Sequence, residues 1–81
     1  GASEKFAEQA EKIFRRMQAS IAQTLREAQA QGALAKDEDP EMLAELILNS
    51  TEGAILRAKT ARSTRPIEIL EEFLMQKLSF A

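Results

Sequence analysis

Apolar residues recur at helical spacing through three segments of the chain, separated by two short polar stretches that contain its two prolines. In the first segment, Glu4 to Gln31, the apolar positions fall within an arc of about 120° when residues are projected at 100° each. This pattern predicts a one-sided amphipathic helix with a solvated back. The apolar positions are Phe6, Ala10, Ile13, Phe14, Met17, Ile21, Leu25 and Ala28.

The polar stretch that follows carries the signals of one helix ending and another beginning. Gly32 can adopt the left-handed conformation that closes a helix. Asp39 can accept hydrogen bonds from the free amides of a new first turn, and Pro40 fits a position that needs no N–H donor. A second helix is therefore predicted from Pro40 to about Ala61.

A second turn, RSTR, separates this helix from a third apolar segment. Ser63 and Thr64 are candidate caps, and Pro66 again suits the first helical turn. The third predicted helix has apolar residues between Ile67 and Leu78.

The second and third predicted helices are apolar over more of their circumference than one neighbour can cover. Their apolar arcs span about 200° and about 180°, whereas one packed helix hides roughly a third of a circumference. Three such helices bury themselves poorly alone, so we expect the chain to self-associate. Two copies of the last two helices would form a four-helix bundle. The predicted fold class is all-α.

Composition excludes most chemistry within these 81 residues. The chain has no His, Cys or Tyr, so it lacks the usual general base, thiolate and phenol. We predict no enzyme activity, no catalytic residue, no cofactor and no metal site. Asp37, Glu38, Asp39 and Glu41 lack the glycine and distal glutamate of a calcium loop, and helix capping explains them. A net charge of −2 with interspersed signs does not favour direct nucleic-acid binding.

The sequence also suggests where the native residues lie. Gly1, Ala2 and Ser3 resemble the remnant of a cleaved expression tag, so we expect residues 4–81 to form a single native module. No apolar run approaches the length that spans a bilayer, and we expect a cytoplasmic protein.

Several residues allow two interpretations. Gly53 lies mid-helix, where it either permits close approach of a partner helix or is a tolerated defect. Asn49, Ser50 and Thr51 either line a pocket or interface, or bond back to helix carbonyls. Four cations near the end of the second helix either complement its dipole or bind an anion. They are Arg57, Lys59, Arg62 and Arg65.

The order of these motifs resembles the C-terminal part of TetR-type transcriptional regulators. The resemblance runs from about Gln18 to Leu78. It rests on a helix ending in A-x-x-x-G-x-L, then D-P-E, then a helix with L-A-x-x-I and E-G-A-I-L-R-A-K, then R-S-T-R-P-I-E. It implies that the last two helices form the dimer interface as a four-helix bundle. It also implies a small effector bound in the full-length protein, and operator DNA bound only through an N-terminal helix-turn-helix domain that this chain lacks.

These arguments together give the expected site residues. Phe14, Met17 and Ile21 are the candidate effector-pocket residues, with core packing as the alternative. The expected homodimer interface comprises Leu46, Ile47, Ser50, Gly53, Ala54, Arg57, Ile67, Leu70, Phe73 and Leu74.

We therefore expect the dimerisation and regulatory portion of a ligand-responsive transcriptional regulator, most simply a repressor, that keeps dimerisation without operator binding. A stand-alone helical adaptor that binds a helix of another protein is the alternative.

Overall fold

The computed structural model describes residues 1–78, which form three α-helices. These are α1 (Ala2–Ala30), α2 (Pro40–Ala61) and α3 (Arg65–Lys77). α2 lies at the centre, packing against α1 on one side and against α3 on another. The all-α, three-helix prediction is confirmed, and the predicted bounds of α2 match the structure.

The end of α1 is closed by Gly32. Its φ of +81° lies in the left-handed region. The amide of Ala33 donates to the carbonyl of Ala28 at 2.8 Å, and the amide of Gly32 donates to that of Gln29 at 3.1 Å. This pair of bonds is a Schellman motif, which satisfies carbonyls that the helix itself leaves free.

One side chain, that of Gln29, hydrogen-bonds to the loop between α1 and α2 at two points. Gln29 Nε2 donates to the carbonyl of Ala35 at 3.0 Å and to the carbonyl of Glu38 at 2.7 Å. Because these bonds join the last turn of α1 to the middle and the far end of the loop, they fix the direction in which the chain enters α2.

α2 begins at the cap that the sequence predicts. The Asp39 carboxylate accepts from the amides of Glu41 at 3.0 Å and Met42 at 3.4 Å, and Pro40 occupies the first turn. The Arg26 guanidinium donates to the Glu41 carboxylate at 2.6 Å, which ties α1 to this same turn.

The turn between α2 and α3 uses a left-handed residue that is not glycine. Arg62 has φ 51° and ψ 48°, and the amide of Ser63 donates to the carbonyl of Ala58 at 3.1 Å. Of the two cap candidates, Ser63 accepts from the amide of Arg65 at 3.1 Å, whereas the Thr64 hydroxyl donates to the Glu68 carboxylate.

The buried core lies where the last half of α1 meets the first half of α2. Leu34 of the loop closes it, and Leu74 and Leu78 pack against it from the α3 side. No residue of α3 is itself buried. The buried apolar residues are Ala22, Leu25, Ala28, Leu34, Leu43, Ala44, Ile47 and Leu48.

The first half of α1 extends beyond this core. Phe6 is 75% exposed and Ile13 is 54% exposed, although both lie on the predicted apolar face. The predicted face is therefore used as core only in its last three turns. In the described part of the chain, none of the helices is long and apolar enough to cross a bilayer.

Candidate dimerisation surface

An open groove runs between α2 and α3. It has a volume of about 480 Å³. We call it the α2–α3 groove and define it by its lining residues. They are Leu46, Ile47, Ser50, Gly53, Ala54 and Arg57 of α2, and Pro66, Ile69, Leu70 and Phe73 of α3.

The α2–α3 groove is apolar apart from the side chains of Ser50 and Arg57. Three of its large side chains are far from buried: Leu46 is 51% exposed, Ile69 is 50% exposed and Phe73 is 40% exposed. Ile47, by contrast, belongs to the buried core. Contiguous exposed apolar surfaces are typical of interaction sites and ligand-binding grooves.

Most of the residues expected at a dimer interface line this groove. The exceptions are Ile67 and Leu74, which are half-buried, and Leu74 packs against the core. Pro66 and Ile69 also line the groove, although they are not among the interface residues expected from the sequence. Helical periodicity could have identified them, because they share one helix face with Leu70 and Phe73 at spacings of three and four.

Gly53 lies in the groove with open space above it. A Cβ built at this position would meet no atom of residues 1–78 within 4 Å beyond the helix's own backbone and adjacent residues. Packing within the chain therefore gives no reason for glycine in the middle of α2, where it costs roughly 1 kcal/mol relative to alanine.

The three polar residues in the middle of α2, Asn49, Ser50 and Thr51, each have different surroundings. Thr51 bonds back to the helix, with its hydroxyl donating to the carbonyl of Ile47 at 2.7 Å. Ser50 lines the α2–α3 groove, and Asn49 lines a different groove, between α1 and α2. Back-bonding thus accounts for Thr51 only.

The groove between α1 and α2 contains one of the three candidate effector residues. It has a volume of about 390 Å³, and Phe14 lines it together with Leu48 and Asn49. Its other lining residues are mostly charged or polar, and Glu11 accepts from Arg15 at 3.2 Å along its rim. Ile21 packs against the core instead, and Met17 is 40% exposed.

The cations near the end of α2 do not form a closed anion site. Arg57 and Arg65 line a shallow surface with Ala61, Ser63, Pro66 and Ile69. Both arginines are exposed. Clusters of three or more potential metal-ligating side chains do not occur in residues 1–78.

Comparison with known proteins gives two matches. The family of C-terminal domains of LmrA/YxaF-like transcriptional regulators matches residues 1–73. The transcriptional regulator AcuR of Cereibacter sphaeroides is 46% identical over 55 residues, which are 68% of this chain. The chain matches only 25% of the length of that regulator. No solved structure matches the chain significantly.

Proposed function

Because the chain belongs to the LmrA/YxaF-like C-terminal domains of TetR-family transcriptional regulators, we propose that it holds two copies of such a regulator together through the α2–α3 groove. The family consists of transcriptional regulators and not of enzymes. In the proposed dimer, α2 and α3 of two copies form a four-helix bundle that covers the groove of each.

The exposed apolar lining of the α2–α3 groove is the observation that carries this proposal. Leu46, Ile69 and Phe73 each keep two fifths or more of their surface exposed. Covering such side chains is favourable by roughly 25 cal/mol per Å² of apolar surface removed from water. A helical partner fits the groove because both of its walls are helices.

The mid-helix glycine supports the same proposal. Gly53 has no packing role within the described residues, so its helix-propensity cost is best offset by close packing against a helix from a second copy. A residue without a side chain lets two helix backbones approach closely.

The regulatory role lies in coupling this dimer to parts of a longer protein. The chain spans a quarter of the length of the curated relative that it matches. We propose that a small effector binds in the full-length regulator, with Phe14, Met17 and Ile21 contributing to its site, and that operator DNA is bound through an N-terminal helix-turn-helix domain. A rigid four-helix interface would set the distance between two DNA-binding heads, and effector binding would change that distance and release the operator.

Light scattering on the wild-type chain and two variants tests the dimer. The wild-type chain should be a dimer at micromolar concentration. Leu46→Glu places a carboxylate in the groove and should weaken the dimer by about 100-fold or more, because an unpaired charge would be desolvated there. Leu56→Glu is the matched control, since Leu56 is on the same helix, is 62% exposed and lies outside the groove.

The outcomes separate the two function classes. A dimer that Leu46→Glu dissociates and Leu56→Glu leaves intact supports the regulator proposal. A wild-type chain that stays monomeric at these concentrations contradicts it and favours the helical adaptor.

A further inference from the structure

We propose that the two-fold axis of the dimer passes α2 between Gly53 and Ala54, so that α2 of one copy crosses α2 of the second copy at this point. This inference rests on the proposed dimer and adds its geometry. It follows from the order of residues along the wall of the α2–α3 groove.

On the α2 wall of the groove, the two smallest residues, Gly53 and Ala54, lie between the two polar residues. Ser50 lies one turn before them and Arg57 one turn after them, so the midpoint between these two polar residues falls between Gly53 and Ala54. The spacings of three and four residues are those of a helix–helix seam.

A two-fold axis perpendicular to α2 at this midpoint pairs unlike residues in a favourable way. It places Ser50 of one copy opposite Arg57 of the second copy, and Gly53 opposite Ala54. An isologous interface repeats each such pair twice. The polar groups of an otherwise apolar groove would then meet each other.

The chemistry of this pair fits. Within residues 1–78, the Arg57 side chain has neither a hydrogen bond nor an ion pair. A guanidinium donates and cannot accept, whereas a serine hydroxyl can accept. A polar group that loses water without gaining a partner is costly, so the pairing removes a penalty that dimerisation would otherwise impose.

The same placement keeps like charges apart. Each Arg57 would lie about 5 Å along the helix from the crossing point, on opposite sides of it, so the two arginine Cα atoms would be about 10 Å apart along the axis. The crossing point itself contains only Gly53 and Ala54. The open space above Gly53 allows the helix backbones to approach more closely there than a typical interaxial distance of 8–10 Å.

Cysteine cross-linking tests the position of the axis directly, because the chain has no cysteine of its own. Ala54→Cys changes little volume and places one thiol beside the axis on each copy. Its Cα atoms would fall within the separation of about 4.4–6.8 Å that a disulfide requires. Oxidation should therefore convert this variant to a covalent dimer. Leu56→Cys, on another face of α2, is the control and should remain uncross-linked.

A mixing experiment tests the pairing itself. Ser50→Cys alone and Arg57→Cys alone should not cross-link. In each variant the thiol of one copy would lie about 10 Å along the helix from the same thiol of the second copy. A 1:1 mixture of the two variants should cross-link in about half of its dimers, since random pairing makes half of them mixed.

Light scattering before oxidation shows whether each variant is a dimer, so a failure to cross-link can be distinguished from a failure to dimerise. If Ala54→Cys is a dimer and oxidation leaves it uncross-linked, the axis is elsewhere and this inference fails while the proposed function stands. Cross-linking of Ser50→Cys with itself, at the rate of the mixture, would also overturn it. If the wild-type chain is a monomer, the proposed function fails and this inference fails with it.

Discussion

The core end of the molecule and its α2–α3 groove are both lined mainly by apolar side chains, yet these side chains differ in how far they are buried. At the core end, Leu25, Leu34 and Leu43 are at most 5% exposed. In the α2–α3 groove, Leu46, Ile69 and Phe73 remain two fifths to one half exposed. No residue of α3 is buried.

The polar contacts follow the same division. Gln29 holds the loop, Arg26 pairs with Glu41, and Lys77 pairs with Glu38. All three bring together elements that meet at the core end. The chain therefore buries the last half of α1 and the start of α2 by itself, whereas α3 and the end of α2 stay largely exposed in the single chain.

A core truncation should have the largest effect on the free energy of unfolding. Leu25 is 3% exposed, so Leu25→Ala should destabilise the chain by about 3 kcal/mol, because it loses buried area and leaves a cavity. Leu56→Ala, the exposed control, should change it by no more than about 0.5 kcal/mol. Urea unfolding at one protein concentration measures both, and equal losses would show that the core is not where the structure places it.

A truncation in the groove should cost less, and its cost should depend on protein concentration. Phe73→Ala removes a side chain that is 40% exposed in the single chain. We expect a loss of about 1–2 kcal/mol when the chain is dimeric, because the second copy completes the burial of Phe73. The loss should shrink on dilution below the dissociation constant. Met75→Ala, also on α3 and 69% exposed, is the control.

Removing the clamp on the loop should have a similar or smaller effect. Gln29→Ala leaves the carbonyls of Ala35 and Glu38 without their donor and should cost about 1–2 kcal/mol. Gln31→Ala, in the same loop and exposed, should cost little. Thermal unfolding followed by circular dichroism distinguishes the two variants. A Gln29→Ala chain as stable as the control would mean that water replaces both hydrogen bonds at no cost.

The smallest effect should be a gain in stability at the second turn. Arg62 has a φ of 51°, a conformation that side chains with a Cβ rarely adopt. Arg62→Gly should therefore stabilise the chain by about 0.5 kcal/mol, the strain relieved less the extra entropy of glycine in the unfolded state. Arg62→Ala removes the charge and keeps the strain, so it should show no gain. Urea unfolding of the two variants makes the comparison.

The helices were predictable because their ends are encoded locally. Asp39 and Ser63 accept hydrogen bonds from backbone amides of the turns that they begin. Gly32 adopts the left-handed conformation that closes α1, and Pro40 and Pro66 occupy positions that need no N–H donor. None of these effects depends on distant residues. The apolar faces were also predictable from periodicity. Which part of a face finds a partner was not, because Phe6 and Leu25 share one face of α1 and only the second has α2 beside it.

The rotation of α3 shows the same limit. Its apolar arc includes Ile67 and Leu74 on one edge and Ile69 on the other, and the sequence pattern favours neither edge. The choice is made by tertiary contacts: Leu74 packs against the core, and Lys77 pairs with Glu38. These contacts turn Ile69 and Phe73 into the groove.

Amide hydrogen exchange over a dilution series tests whether a second copy completes the burial of α3, as we propose. Protection in Arg65–Lys77 should rise with protein concentration more than protection around Leu25 and Leu43 does, and Leu46→Glu should abolish the rise. Protection in α3 that matches the core at every concentration, or that persists in Leu46→Glu, would contradict this proposal.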